Sequence, residues 1–435
     1  MSATQACPEC AAQVPVDERF GTWCEACGWN VDPSEHRPPT GRIEALRHRT
    51  AQRYGEQLYA ETTTATAAGG STGATGAGGR PQRGGAGALA QVLAVLVHGV
   101  TLALVVCGLL LIVLGWSTVV QPVIGGVLLA TAVVLRPRFG RLPDDLPELR
   151  RTDAPRLFAL IDEVAAVAGT RGVDVVVVDA SANAAVFTYG IRQRRALLLG
   201  LALWEALTPQ QRVALLGHEL GHYANGDTRR GILLGSALRS LSLWYSFLLP
   251  VPDPDLGERL ANVMMAVPRY AVYGLLLLLD QLTMRDGLRA EYLADDIAKR
   301  AASPEAAAEL MDRLLIAEAY EDWLRRESVI ANTRGGRTAD RKAAERDLWE
   351  RLAAHMALVP EREYERRRRA GALRGHAVDS THPPTHLRRE RLLAGTGSEP
   401  GVRFAPEAAD AVGAELADAR AKVAHVVIRD YAVTA

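Results

Sequence analysis

The chain has 435 residues and a formal net charge of zero, and 48% of its residues are hydrophobic. A chain of this length can bury a large core and is expected to contain more than one structural unit. Because 50 Lys and Arg residues balance 50 Asp and Glu residues, the charge gives no indication of a nucleic-acid partner. The N-terminus is polar and rich in Cys, so no cleavable signal peptide is expected.

The first 35 residues contain two C-x-x-C pairs, formed by Cys7, Cys10, Cys24 and Cys27. The pairs are separated by 13 residues, a spacing typical of a zinc ribbon in which four thiolates bind one structural Zn²⁺. Disulfides and free thiols are the alternatives, but disulfides need an oxidising compartment. We therefore predict a zinc ribbon over residues 1–35. A protein partner is favoured for it, because the segment has no basic stripe.

Residues 36–87 are expected to form a short charged helix over Arg42–Tyr59 and then a flexible linker rich in Gly and Ala. Residues 88–136 contain two uncharged apolar runs joined by a short connection, which predicts a transmembrane helical hairpin. Arginines flank both ends of the hairpin. By the positive-inside rule both ends, and with them the N-terminus, are expected in the cytoplasm.

Residues 150–430 are expected to form the largest domain, interrupted by apolar stretches at 231–251 and 261–282. Each stretch holds one arginine, which is costly at the centre of a bilayer, so buried or interfacial helices are the alternative to membrane spans. The charges that flank the stretches favour spanning. The protein is therefore predicted to be a multi-pass protein of the cell membrane, with the large domain in the cytoplasm.

The large domain is predicted to be mainly helical with a small β-sheet. Three short runs indicate strands: Val173–Asp179, Val186–Thr188 and Ala196–Leu199. Arg325–Arg374 is densely charged, with Arg366–Arg369 at its centre. It is expected to form a surface helix that is either solvated or near anionic lipid.

His218–His222 form an H-E-x-x-H motif in an apolar frame. Positions i and i+4 share one face of a helix, so the two histidines can bind one metal ion while Glu219 acts on a metal-bound water. The motif also occurs on solvated helices, but its uncharged flanks favour a buried one. Thr208 and the following Pro and Gln residues predict the start of this helix, with a capping box. Asn225-Gly226 tolerate the left-handed conformation that ends a helix.

Two histidines leave a zinc ion one protein ligand short. Six residues after His222 the chain has Thr228, which excludes the metzincin arrangement. The gluzincin arrangement takes a Glu from a separate downstream helix, and Glu291 is the candidate. Asp295 lies four residues later on the same helix face, where it can accept a hydrogen bond from the outer nitrogen of a zinc-bound His. The alternative is an ordinary charged helix face.

Two further segments flank the metal motifs. Asn183-Ala184 comes before them, after the Val-rich strand, and Ser380–Thr385 with Arg388 comes after them. With H-E-x-x-H and Glu291–Asp295, they make the chain resemble the HtpX and CaaX-prenyl-protease family of integral-membrane zinc metallopeptidases. The resemblance covers about residues 90–395. One departure is that Asn183–Thr188 is longer than the family's usual segment, so the register of this strand is open.

The resemblance implies an α+β fold: a mainly helical zincin domain with a small sheet, membrane-embedded helices and, in this chain, an added zinc ribbon. It implies a catalytic Zn²⁺ held by His218, His222 and Glu291, with Glu219 as the general base. Asn183 and Ala184 would belong to a strand that binds substrate by strand addition. It also places His382 near the zinc, where it either stabilises the oxyanion or occupies the open zinc position. A solvated His is the alternative.

The resemblance also implies that Arg388 pairs with a carboxylate in or near the cleft. The predicted function is that of a zinc endopeptidase that cleaves membrane or misfolded proteins at the cytoplasmic face. Its expected partners are protein or peptide substrates, the lipid bilayer and a protein bound by the ribbon. The alternatives are a processing peptidase with a dedicated substrate and a membrane-anchored adaptor with an inactive peptidase domain.

Overall fold

The computed structural model describes residues 3–17, 19–33, 42–67, 85–136, 140–225, 227–333, 338–374, 382–394 and 399–434. The described chain is mostly helical with a small sheet, which confirms the predicted fold class. It divides into two compact units. Unit 1 comprises Met1–Ala77, Leu142–Asn225 and Leu288–Ala435, and unit 2 comprises Gly78–Arg141 and Gly226–Gly287.

The elements are numbered in chain order. The strands are β1 (Thr4–Ala6), β2 (Gln13–Pro15), β3 (Glu148–Leu149), β4 (Val175–Asp179), β5 (Ala184–Tyr189) and β6 (Arg194–Gly200). The helices are α1 (Arg42–Ala67), α2 (Gly85–Leu114), α3 (Val120–Leu135), α4 (Pro155–Ala168), α5 (Leu201–Ala206), α6 (Pro209–Ala224), α7 (Asp227–Phe247), α8 (Leu256–Met264), α9 (Ala266–Ala301), α10 (Pro304–Leu314), α11 (Ala317–Thr333), α12 (Thr338–Arg346), α13 (Leu348–Ala357), α14 (Glu361–Arg374), α15 (Thr385–Leu393), α16 (Pro406–Glu415) and α17 (Ala417–Thr434).

The main sheet of unit 1 has the strand order β3-β4-β6-β5. Strands β4 and β6 are parallel, whereas β3 and β5 pair antiparallel with their neighbours. The residues of β4 from Val175 to Val178 are fully buried, as expected of a Val-rich central strand. The predicted strands are confirmed, and β5 and β6 are longer than expected. In the part of the sheet that the structure describes, β5 is an edge strand.

Helix α6 begins as its sequence predicts. The Thr208 side chain accepts a hydrogen bond from the Gln211 backbone, and the Gln211 side chain accepts one from the Thr208 backbone. The predicted end is wrong in one respect: Asn225 has φ −70° and ψ −8°, a right-handed conformation. Gly226 lies outside the described residues, and α7 begins at the next position. No left-handed residue is therefore needed at Asn225 to separate the two helices.

In unit 2, α2 and α3 pack closely against each other, as expected of the predicted hairpin. A side chain at Gly108 would meet the Gly125 carbonyl oxygen at 3.0 Å, and one at Gly125 would meet the Gly108 oxygen at 2.6 Å. Glycine at both positions therefore lets the two backbones approach. A second core of this unit is formed by α2, α7 and α9 through Ala94, Leu241 and Leu279.

Among the described residues, α2 is the one helix that is long and apolar enough by itself to cross a bilayer, with a mean hydropathy of 2.7. Helices α8 and α9, which meet at a bend of 43°, would supply a second span if they are counted as one. Helix α3 has 16 residues, too few to qualify, and α7 does not qualify either. Helix length and composition therefore do not support the predicted set of four spans.

Candidate metal centre

Two glycines on α6 bring the two site helices of unit 1 into backbone contact. A Cβ atom at Gly217 would lie 2.9 Å from the Cα of Ala298, and one at Gly221 would lie 2.8 Å from the Cα of Ala294. These distances are shorter than real Cβ contacts, so any larger residue would push α6 away from α9. The close approach places the H-E-x-x-H face of α6 opposite Glu291.

The three predicted ligands converge. One donor atom from each of His218, His222 and Glu291 lies within 4.8 Å of the others. His218 Nε2 is 3.5 Å from Glu291 Oε2, and His222 Nε2 is 3.6 Å from Glu291 Oε1. Tetrahedral ligands bound to Zn²⁺ at about 2.1 Å would be about 3.4 Å apart, so the spacing suits zinc.

The buried polar atoms of the centre also fit a cation. Glu291 Oε2 is buried, and its nitrogen neighbours from His382, His218 and Arg388 lie 3.4–3.5 Å away without forming a hydrogen bond of good geometry. Burial alone would raise the pKa of Glu291, but His218 and Arg388 outweigh it and lower the pKa to about 2. An ionised carboxylate and two imidazoles form a common donor set for Zn²⁺. The residues present therefore fit a zinc ion, and their role as its ligands stays a prediction.

Asp295 joins the centre to Arg388. Its Oδ1 lies 3.0 Å from His218 Nδ1, and Arg388 donates from Nη2 to Oδ1 at 2.7 Å and from Nε to Oδ2 at 2.8 Å. Burial opposes ionisation of Asp295, but the Arg388 guanidinium holds its pKa well below the usual range. The ionised carboxylate can accept the proton of Nδ1, which leaves Nε2 of His218 free to face the metal. The structure thus pairs Arg388 with a carboxylate, as the resemblance implied.

Glu219 lies on α6 between the two histidines and is 7% exposed. Burial raises the pKa of its carboxyl, and the nearby charges of His218 and His222 act in the opposite direction. A carboxylate with a raised pKa exchanges protons more readily near neutral pH than a solvated one. The environment therefore suits the predicted general base.

His382 lies at the centre. Its Nε2 is 3.4 Å from Glu291 Oε2, and its side chain is 29% exposed. The structure therefore brings this ring to the predicted metal ligands, and the two roles that the resemblance implies for it stay predictions. Thr381 and Ser380, which complete the sequence motif, lie outside the described residues.

The predicted substrate strand begins at Ala184, the first residue of β5, and the exposed Asn183 comes directly before it. Sequence reasoning missed the residue that ties this strand to α6. The hydroxyl of Tyr223 donates to the carbonyl oxygens of Phe187 on β5, at 2.6 Å, and of Ala196 on β6, at 3.0 Å. The position of Tyr223 directly after His222 was the available signal, because a polar tip on a buried helix needs a partner.

The ribbon cysteines form a second cluster. The four Sγ atoms lie within 4.8 Å of one another. The Cys7–Cys27 pair is 3.6 Å apart and the Cys10–Cys24 pair 3.5 Å, and all four thiols are free. Four thiolates around one Zn²⁺ would be about 3.8 Å apart, so the cluster fits the predicted structural zinc.

The charged helix α14 is neither fully solvated nor available to lipid over its whole surface, which corrects the expectation for Arg366–Arg369. Arg366 is 7% exposed and pairs with the buried Glu363. It also donates to the backbone oxygen of Val31 in the ribbon at 2.9 Å. The pattern of charge alone did not indicate a partner within the same chain.

A helix that carries H-E-x-x-H, with a Glu from a second helix opposite it, is typical of the gluzincin type of zinc metallopeptidase. The comparison with protein families agrees with this class. Residues 151–395 match the sequence model of Peptidase family M48, and the chain belongs to this family. M48 peptidases are zinc-dependent, and the resemblance to HtpX-type enzymes is confirmed. No curated protein and no solved structure matches the chain significantly.

Proposed function

We propose that this M48 peptidase is a membrane-bound zinc endopeptidase that cleaves membrane or misfolded proteins at the cytoplasmic face of the membrane. The observation that carries the proposal is the convergence of His218, His222 and Glu291 next to a buried Glu219. The chemistry requires each of these groups, and a merely structural metal site has no need of Glu219.

The proposed mechanism assigns one role to each side chain. A Zn²⁺ ion held by His218, His222 and Glu291 would supply Lewis acidity at the scissile carbonyl and at the attacking water. Glu219 accepts the proton of that water on its carboxylate and delivers it to the leaving amine. Asp295 keeps the His218 ring in the tautomer that presents Nε2 to the metal.

The proposed substrate site is the outer edge of β5. An edge strand presents unpaired backbone N–H and C=O groups, so an extended peptide can add to it as a further strand. Tyr223 connects this strand to the helix of the metal ligands through the Phe187 carbonyl. The contact supports a substrate strand held in register with the zinc, and it favours an unfolded or extended substrate.

The proposed membrane location is supported by the apolar surface of unit 2. Leu102, Val113 and Val119 are 65%, 69% and 81% exposed. In the most apolar stretch of 18 residues in α2, only 17% is buried. A helix of this length with so little burial is better suited to lipid than to water. The multi-pass topology, and the cytoplasmic placement of the N-terminus and catalytic domain, rest on the arginines that flank the apolar runs.

The test compares the detergent-purified, zinc-loaded protein with a Glu219→Gln variant and a Glu399→Gln control on casein. Glu399 is highly exposed and forms an ion pair with Arg403 at the surface, so this change should leave turnover intact. We expect the wild type and the control to cleave casein, and the Glu219→Gln variant to bind zinc without cleaving.

Zinc binding by all three proteins without cleavage by any would contradict the proposal and support the adaptor alternative. Cleavage of one defined protein, with casein left intact, would instead support a dedicated processing peptidase. Retained cleavage by Glu219→Gln would remove Glu219 from the mechanism.

A further inference from the structure

The ribbon lies on α14, and arginines of that helix hold it through backbone carbonyls. Arg362 donates to the oxygen of Pro15 at 2.5 Å and also to that of Trp23. Arg369 donates to the oxygen of Glu25 at 2.7 Å. All three acceptors are backbone oxygens. The contact with α14 therefore depends on how the ribbon backbone is folded and not on the charges of its side chains.

Trp23 forms the centre of the contact. It is 1% exposed, and the guanidinium groups of Arg362 and Arg369 each lie 5.2 Å from the centre of its ring. Val31 and Ala370 complete a small apolar cluster around it. Trp23 directly precedes Cys24, so its position depends on the cysteine cluster, and a structural zinc would stabilise the docked form of the ribbon.

Helix α14 is also tied to α15, the helix that follows His382. Asp312 on α10 accepts hydrogen bonds from Arg368 Nη1 of α14 at 2.9 Å and from Arg389 Nε of α15 at 3.1 Å. The position of α14 is therefore coupled to the part of the chain that carries His382.

Helix α1, which follows the ribbon in the chain, contacts the residues that come directly after His382. A side chain at Gly55 would lie 2.8 Å from the Pro384 ring, so α1 is in close contact with the residues that follow His382. The Gly55 carbonyl also accepts a hydrogen bond from the hydroxyl of Tyr292, next to Glu291, at 3.2 Å. Tyr59 reaches Glu390 on α15 at 3.2 Å.

We propose that the ribbon and α1 form an intramolecular clamp, which grips α14 before His382 and α15 after it and so positions His382 at the metal centre. The ribbon then acts as a part of the peptidase, and its arginine-binding face is occupied by its own chain and not by an external partner. The effect on catalysis rests on the proposed function, whereas the mechanical coupling does not.

The test uses the full chain with an Arg362→Ala/Arg369→Ala double variant and an Arg367→Ala control. Arg367 lies on the same helix, but its ion-pair partners are Glu363 and Glu318 and not the ribbon. We expect the double variant to bind two zinc ions per chain, like the wild type, and yet to show faster hydrogen exchange at residues 383–394. Its kcat should fall on the order of tenfold with KM little changed, because the clamp holds His382 where the ring stabilises the oxyanion, and a small displacement of such a group is costly.

A Cys10→Ser/Cys27→Ser variant gives an independent reading, because it removes the ribbon metal without touching α14. It should bind one zinc ion and reproduce the faster exchange at residues 383–394. The proposal is overturned if exchange in both variants equals that of the Arg367→Ala control, or if kcat stays the same or rises. If no variant and no wild type cleaves peptide, the proposed function fails, and the exchange data still decide the clamp.

Discussion

At the scale of single residues, Asp295 determines how charge is distributed in the metal centre. It is 1% exposed, and an isolated buried carboxylate would be strongly destabilising. The bidentate contact with Arg388 compensates its charge, and Glu291 is the carboxylate predicted to bind the metal. Arg388 is therefore best understood as a counterion that allows an ionised Asp295 to orient His218.

Replacement of Asp295 by Asn is expected to weaken zinc binding roughly ten- to hundredfold, a typical cost of losing an outer partner of a metal-bound His. The amide has nearly the same shape but no negative charge with which to hold the Nδ1 proton. Asp296→Asn is the matched control, because Asp296 pairs with Arg391 and its side chain is 39% exposed. Zinc affinity is measured by competition with a chromophoric chelator. Equal affinities in the two variants would show that Asp295 does not orient a ligand.

At the scale of elements, the site depends on the approach of α6 to α9, and this approach depends on the absence of side chains. The contact joins Gly217 to Ala298 and Gly221 to Ala294, about one helical turn apart on each helix. Small residues at such spacing let two helices pack at backbone distance. The ligands on the two helices can therefore meet without any long side chain bridging the gap.

A Gly221→Ala substitution is expected to reduce zinc affinity and to destabilise the fold by about 1–3 kcal/mol, the usual cost of overpacking. The added methyl group would lie 2.8 Å from a backbone atom, and a backbone atom cannot move aside as a flexible side chain does. Gly413→Ala on α16 is the control, since a Cβ there meets nothing within 4 Å. Thermal unfolding and chelator competition measure the two effects. A Gly221→Ala protein with unchanged melting temperature and zinc affinity would contradict the backbone contact.

Local signals in the sequence predicted the elements that local rules govern. The capping box at Thr208 and the strand over the Val-rich run were predictable, because hydrogen bonding near a helix start and burial of β-branched residues involve neighbours in sequence. The H-E-x-x-H spacing likewise placed two histidines on one helix face.

Contacts between distant parts of the chain were not predictable in the same way. The Tyr223 hydroxyl binds carbonyls 27 and 36 positions away, and Arg366 binds one 335 positions away. The local sequence pattern does not specify such distant partners. The row Arg366–Arg369 therefore predicts a solvated helix face, because the acceptors of its hydrogen bonds are known only once the chain is folded. Asn225 shows that a local signal can also mislead: Asn tolerates the left-handed conformation, but this residue does not adopt it.

At the scale of the whole molecule, the two units differ in what covers their apolar side chains. Unit 1 buries a large apolar core that includes Phe158, Leu199 and Trp204, all at most 1% exposed. In unit 2 many large apolar side chains of α2 and α3 are exposed, which is unusual for a protein surface in water. The helices after α2 are short or contain an arginine. Length and composition identify a membrane span clearly only when a helix is long and uncharged, so they single out α2.

A charge test on α2 separates a lipid-facing helix from a water-facing one. Leu102 and Leu109 are 65% and 50% exposed and lie seven positions apart, on one face of the helix. Aspartate at both positions should lower the membrane-bound fraction that resists alkaline carbonate, because each charge near the centre of a span costs about 3 kcal/mol. The control is Ile191→Asp/Leu358→Asp, two apolar residues of unit 1 that are 82% and 59% exposed. The control should keep the wild-type fraction, since water already surrounds its positions. Equal carbonate resistance in the two double variants would mean that α2 does not lie in the hydrocarbon core, and the proposed membrane location would lose its main support.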